Sequence, residues 1–178
     1  MSVHHRVRTL TCNAVLVTAT AWSLSGPAAA QESTSPVRRV RSSDPSIAAL
    51  IEHAITHSPT FKELVATVEA SNGIVYVQYG RCPGRIVACL PISMTSGGGN
   101  RFMRIVVDTE RIDSDRQLLG SIGHELQHAI EVLSDRSVTN STTMYFFYRR
   151  YAPTGRERFE TPDATNAGNA VQRELRAW

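Results

Sequence analysis

Residues 114–133 have the periodicity of one long amphipathic helix, and this helix constrains the fold more than any other segment. Placed at steps of about 100° per residue, its apolar side chains fall in a single stripe. The stripe consists of Leu119, Ile122, Leu126, Ile130 and Leu133. Ser114 and Gln117 have the spacing of a capping box, which predicts that the helix starts at Ser114. One side of this helix must therefore be covered by a core.

The side opposite the stripe carries a His-Glu-x-x-His motif, formed by His124, Glu125 and His128. Histidines four residues apart lie about one helical turn apart on the same face, which is the spacing of two zinc ligands. Glu125 points about 100° away from His124, where its carboxylate can move a proton without binding the metal. The motif predicts zinc as the cofactor and hydrolysis as the chemistry.

Two glycines, Gly120 and Gly123, precede the motif within the same helix. A glycine inside a helix costs about 1 kcal/mol relative to alanine, so its presence calls for a compensating reason. We expect another stretch of backbone to pack closely against the helix at this point.

A catalytic zinc site usually has three protein ligands, so a third ligand must come from another segment. Glu160 precedes Thr161 and Pro162, which have the pattern of an N-cap followed by the first helical residue. Its carboxylate would stand at a rigid corner, which makes Glu160 the first choice for the third ligand. Glu157 and Glu174 are the alternatives.

Two further acidic residues are candidates for orienting a ligand. Glu131 lies one turn beyond His128 but about 10 Å along the helix axis from His124, which favours contact with His128 or with solvent. Asp163 could hydrogen-bond a ligating imidazole, or could occupy the first turn of a helix, where the dipole favours a carboxylate.

The segment that follows the long helix is rich in aromatic residues. Four of its side chains could pass over a cleft and donate a hydrogen bond to a developing oxyanion. They are Tyr145, Tyr148, Arg149 and Tyr151. Because aromatic stretches are commonly part of a core, a packing role for this segment is the alternative.

The motif helix and the corner at residues 159–164 together resemble zincin metallopeptidases of the gluzincin type. The chain is also similar to small exported bacterial proteins of unassigned function that contain Gly-His-Glu-Leu-Gln-His-Ala followed by Phe-Glu-Thr. The resemblance implies a zincin-like fold and a peptide or protein substrate. Ser134 stands where a metzincin has its third histidine, which excludes that branch.

This resemblance also implies roles for individual residues. Zinc would be bound by His124, His128 and a later glutamate such as Glu160, and Glu125 would be the general base. A second hypothesis is a non-enzymatic exported domain in which a metal, structural or vestigial, only stabilises the fold.

The rest of the mature chain predicts an α+β domain over residues 46–178. Helices are expected over 46–55 and 58–70, and a strand at 74–79. Strands at 86–94 and 101–107, joined by a flexible loop at 95–100, would complete a small, mostly antiparallel sheet packed on the motif helix with flanking helices.

The first 30 residues have the basic start, apolar stretch and small-residue end of a secretory signal, with cleavage after Ala30. Residues 31–45, rich in Ser, Pro and Arg, predict a flexible linker.

Cleavage removes Arg6, Arg8 and no acidic residue, so the net charge falls from +3 to +1. This balance argues against nucleic-acid binding, and no later segment could anchor the mature protein in a membrane. We expect a secreted or periplasmic protein.

Cys82 and Cys89 are the only cysteines that remain after cleavage. Export to an oxidising compartment predicts a disulfide between them. The alternatives are two buried thiols or a metal site, which is less favoured because no further cysteine or histidine lies at chelating spacing.

Overall fold

The computed structural model describes residues 38–84, 86–151 and 159–177 of the 178-residue chain. The predicted signal, residues 1–30, lies outside these residues. Among the described helices, none combines the length and the apolarity that are needed to span a lipid bilayer.

The described residues combine five α-helices with a small mixed sheet. The helices are α1 (Pro45–His57), α2 (Pro59–Glu69), α3 (Asp115–Ser134), α4 (Ser141–Tyr151) and α5 (Pro162–Glu174). The strands are β1 (Val40–Arg41), β2 (Gly73–Tyr79), β3 (Ala88–Cys89), β4 (Thr95–Gly97) and β5 (Asn100–Val107). The α+β content predicted from the sequence is therefore confirmed.

The sheet has the strand order β1-β2-β5-β3, with β4 also paired to β5. Strand β2 is parallel to both β1 and β5, whereas β3 and β4 are antiparallel to β5. The prediction of a mostly antiparallel sheet is therefore wrong, because its longest pairing is parallel. Alternation of apolar residues shows which side chains face the core, but not the direction of the neighbouring strand.

The connection between β2 and β5 explains the parallel pairing. A parallel pair needs a crossover of about a dozen residues or more, and residues 80–99 supply it. The turn from β4 into β5 is made by Gly98 and Gly99, both with positive φ, so it is tighter than the loop expected at 95–100.

The helices cover one face of the sheet. Met103, Ile105 and Val107 of β5 are buried in the core, as their alternation predicted, and Arg104 between them is exposed. Val106, on the other face, is buried as well, and its side chain lies next to Gly80.

Residues 40–41, expected to belong to a flexible linker, are part of the fold. Val40 is buried and pairs with Val75 in strand β1. Asp44 then caps α1 by accepting hydrogen bonds from the backbone N–H groups of Ser46 and Ile47. A single apolar residue among charged ones has no period, which is why the sequence did not reveal β1.

Helix α3 starts as predicted, because the Ser114 hydroxyl accepts a hydrogen bond from the Gln117 backbone. Four residues of its apolar stripe are fully or nearly fully buried, and Ile130 is partly buried. The close approach expected near Gly120 is also present. A Cβ atom added to Gly168 of α5 would lie only 2.9 Å from the Gly120 carbonyl oxygen, so both helices need a small residue at this crossing.

Arg101 joins β5 to the C-terminal end of α3. It is 5% exposed, and its guanidinium donates hydrogen bonds to the carbonyls of Leu133, Asp135 and Val138, among others. Carbonyls at the end of a helix have no partner within the helix, and a cation there is favoured by the helix dipole. The buried guanidinium of Arg101 therefore supplies hydrogen-bond donors to the carbonyls at the C-terminal end of α3.

We expect Arg101→Met to destabilise the fold by about 3 kcal/mol, because the variant leaves several buried carbonyls without donors. Urea unfolding followed by circular dichroism measures the change. Arg104→Met, on the same strand but exposed, is the control and should change stability by less than about 0.5 kcal/mol. Equal unfolding midpoints for the two variants would contradict the role given to Arg101.

Candidate metal centre

Three side chains of the predicted metal site converge at the crossing of α3 and α5. A ligand atom from each of His124, His128 and Glu160 lies within 4.8 Å of the other two. Both histidines present Nε2 to the same point, with 3.1 Å between these nitrogens. Glu160, whose side chain is 53% exposed, places Oε2 3.2 Å from His124 Nε2.

The two short distances, from His124 Nε2 to His128 Nε2 and to Glu160 Oε2, suit a tetrahedral zinc ion. Two ligands that each lie about 2.0–2.1 Å from zinc are about 3.4 Å apart, close to both short distances of the cluster. Two imidazoles and one carboxylate also match the donor set of many catalytic zinc sites, in which the fourth position remains open. The residues present therefore fit a zinc ion.

The orientation of His128 is set by a chain of hydrogen bonds that ends on α5. Glu131 Oε2 lies 2.9 Å from His128 Nδ1, and the Thr161 hydroxyl donates to Glu131 Oε1 at 2.6 Å. Thr161 also caps α5 by accepting a hydrogen bond from the Ala164 backbone. A carboxylate at Nδ1 holds the proton there and leaves Nε2 free for a metal.

The same chain fixes the position of the third carboxylate. Thr161 is hydrogen-bonded to Glu131 of α3, and it directly follows Glu160 in the sequence. Glu131 thus contacts His128, which is one of the two environments, His128 or solvent, that the sequence left open for it. Burial raises the pKa of Glu131, but the hydrogen bonds from His128 and Thr161 outweigh that effect and lower it.

Glu125 lies beside the cluster without belonging to it. Burial raises its pKa to about 7, which Glu160 reinforces, while His128 and the Leu90 backbone N–H act in the opposite direction. A cation held by the cluster would favour the carboxylate form and bring this pKa down. A carboxylate with a pKa near neutrality in a cleft has the properties of a general base.

The His124 imidazole is predisposed to the neutral form. Burial and the neighbouring His128 lower the pKa of His124, although Glu160 and Glu131 partly oppose the shift. A neutral ring offers the lone pair that a metal ligand needs.

The cluster opens into a cleft of about 990 Å³. One wall comes from the segment around the Cys82–Cys89 disulfide, including Val87, Leu90 and Ile92. Other lining residues belong to α3, α4 and α5. Glu125 and all three cluster residues line this space, so a molecule in the cleft can reach them.

The four candidate oxyanion donors have different environments. Tyr145 and Arg149 are exposed and line the cleft. Tyr148 also lines the cleft, but its side chain is only 7% exposed. Burial raises the pKa of its hydroxyl above the usual value for tyrosine. Tyr151 ends α4, and its side chain lies outside the described residues.

Several other sequence candidates lie away from the cluster or outside the description. Asp163 is exposed in the first turn of α5 and, within the described part of the chain, makes no hydrogen bond to either imidazole. Glu174 accepts hydrogen bonds from the backbone and hydroxyl of Thr60 at the start of α2, so it is not a third ligand. Glu157 lies outside the described residues.

Sequence reasoning missed three contributors to the site. Phe159 packs against His128, with 5.2 Å between ring centroids, and Gly168 lies against the His124 backbone and Cβ. The wall segment that contains Leu90 was also not foreseen. Gly168 could have been found, because the argument applied to Gly120 holds for any glycine inside a predicted helix.

The predicted disulfide between Cys82 and Cys89 is confirmed. It closes the loop whose last residues form β3 and the adjacent cleft wall. The bridge therefore restrains the wall that faces the metal cluster.

Comparisons of this chain with protein-family models, with curated proteins and with solved structures find no match.

Proposed function

We propose that this protein is a zinc-dependent hydrolase, most consistent with a peptidase, that acts after export through its cleavable signal. The proposal rests on one observation: His124, His128 and Glu160 converge beside Glu125 in an open cleft. The cleft is large enough for several residues of a substrate chain.

When bound, zinc would supply a Lewis acid that polarises a carbonyl and lowers the pKa of water to about 7. His124, His128 and Glu160 would hold it, and Glu131 would keep the His128 ring in the correct orientation.

Glu125 would carry out the proton transfers of peptide hydrolysis. Its carboxylate accepts a proton from the attacking water as oxygen bonds to the carbonyl carbon. It then delivers that proton to the amide nitrogen as the carbon–nitrogen bond breaks. Tyr148 or Arg149 would donate a hydrogen bond to the carbonyl oxygen as negative charge develops on it.

Metal removal tests the proposed function directly. We expect the mature protein to cleave peptides from a mixed digest, to lose cleavage after treatment with a chelator, and to regain it when zinc is added back. Mass spectrometry of the products measures all three states. Cleavage that a chelator leaves intact, or no cleavage by protein loaded with zinc, would contradict the proposal.

A further inference from the structure

The cleft has two chemically different ends along α3. At one end α3 and α5 present small and polar residues: Gly120, Ser121, Asn169 and Gln172. At the other end the loop after β3 and helix α4 present Ile92, Tyr145 and Tyr148, with the exposed Arg149 beside them. A substrate lying along the cleft would meet a polar surface on one side and an apolar surface on the other.

Exposed apolar side chains are concentrated at this second end. Ile92 is 46% exposed and Tyr145 is 45% exposed, and both line the cleft. Phe146 is 60% exposed, and its ring lies 5.5 Å from that of Tyr145. We call these three residues the apolar rim. A single exposed apolar residue is ordinary, but a group of them beside a cleft is typical of a binding surface.

Hydrogen bonds hold the two parts of the rim together. The Ser141 hydroxyl, in the first turn of α4, accepts a hydrogen bond from the Met94 backbone N–H and lies 3.2 Å from the Met94 carbonyl oxygen, to which it donates. The loop that carries Ile92 is therefore fixed to the helix that carries Tyr145. A surface that is already ordered loses little entropy when it binds a ligand.

A chain of ring contacts connects helix α4 to the metal cluster. Tyr148, one turn from Tyr145 on α4, packs on Phe159 with 4.6 Å between centroids, and Phe159 packs on His128. Helix α4 thus carries both a rim residue and a residue that reaches the metal centre through Phe159, which places the rim beside the cluster.

We infer that the apolar rim selects peptide substrates that carry a large apolar side chain close to the bond that is hydrolysed. This inference rests on the proposed function and names its substrate class. Such a side chain would cover apolar surface that water contacts in the free protein, which favours binding. A small side chain would leave that surface exposed.

Cleavage-site mapping tests the inference. Zinc-loaded protein is incubated with a peptide mixture, and the residues that flank each cleaved bond are read by mass spectrometry. We expect about 10-fold enrichment of Phe, Tyr, Leu, Ile or Met at one fixed position. Tyr145→Ala should abolish this enrichment, whereas Tyr145→Phe should retain it because it keeps the ring.

Tyr79→Ala is the matched control, because Tyr79 is 42% exposed and does not line the cleft. It should leave the enrichment unchanged. No enrichment in the wild type, or enrichment that survives Tyr145→Ala, would overturn the inference and leave the hydrolase intact.

A binding measurement separates this inference from the proposed function. In the Glu125→Gln background, a labelled peptide of Ala, Ser and Gly with one central Phe should bind about 10-fold more tightly than the same peptide with Ser there. Adding Tyr145→Ala should remove the difference. If the wild type cleaves nothing but this difference is found, the proposed function fails and the rim remains a binding surface. Equal affinities for the two peptides would overturn the inference.

Discussion

Glu125→Gln is expected to lower kcat for peptide hydrolysis by a factor of about 10²–10⁴ and to leave zinc binding unchanged. The amide has the shape of the carboxylate but cannot accept a proton from water. Glu125 is not among the three residues that converge on the metal position, so its replacement should not remove a ligand.

Zinc content and steady-state kinetics on the same preparation measure both parts of this expectation. Glu110→Gln is the control, since that carboxylate is 70% exposed and does not line the cleft. A Glu125→Gln variant with wild-type kcat would rule out the general-base role. No hydrolysis by the wild type with zinc bound would favour the second hypothesis, in which the metal only stabilises a non-enzymatic domain.

His124→Ala is expected to abolish stable zinc binding. The ring supplies the nitrogen that lies closest to both other ligand atoms of the cluster, and its removal leaves one histidine and one exposed carboxylate. Loss of a partner that only orients a ligand costs about 10- to 100-fold in metal affinity, and loss of a ligand should cost more. Competition with a chromogenic chelator measures the dissociation constant.

The chain contains a matched control for this variant. His53 and His57 are also four residues apart on a helix, but their rings stack at 4.0 Å and His57 Nδ1 lies 2.9 Å from the His53 carbonyl. No carboxylate joins this pair in a metal-binding group within the described ranges. His57→Ala should therefore leave zinc affinity unchanged, and an equal loss in both variants would argue against the proposed ligand.

The local features of the site could be predicted from the sequence. Capping at Ser114 and Thr161 depends on residues close in the chain, and the apolar stripe of α3 follows from helical periodicity. The same periodicity separated His128 from that stripe. The structure nevertheless buries His128, because Phe159 and Tyr148 cover its face of the helix.

The features that were missed depend on residues far apart in the chain. The parallel pairing of β2 with β5 is set by how residues 80–99 cross the sheet, and no local pattern encodes that path. Whether Glu131 would face His128 or solvent likewise depended on where α5 places Thr161. Sequence periodicity fixes the faces of elements, whereas tertiary packing decides which faces meet.

The central claim is that His124, His128 and Glu160 bind one zinc ion. X-ray absorption at the zinc edge, recorded on the purified wild-type protein, tests it most directly. We expect two imidazole nitrogens and carboxylate or water oxygens at about 2.0–2.2 Å, with the imidazole signal reduced in His128→Ala. A protein that binds no zinc, or a spectrum without imidazole scattering, would contradict the claim.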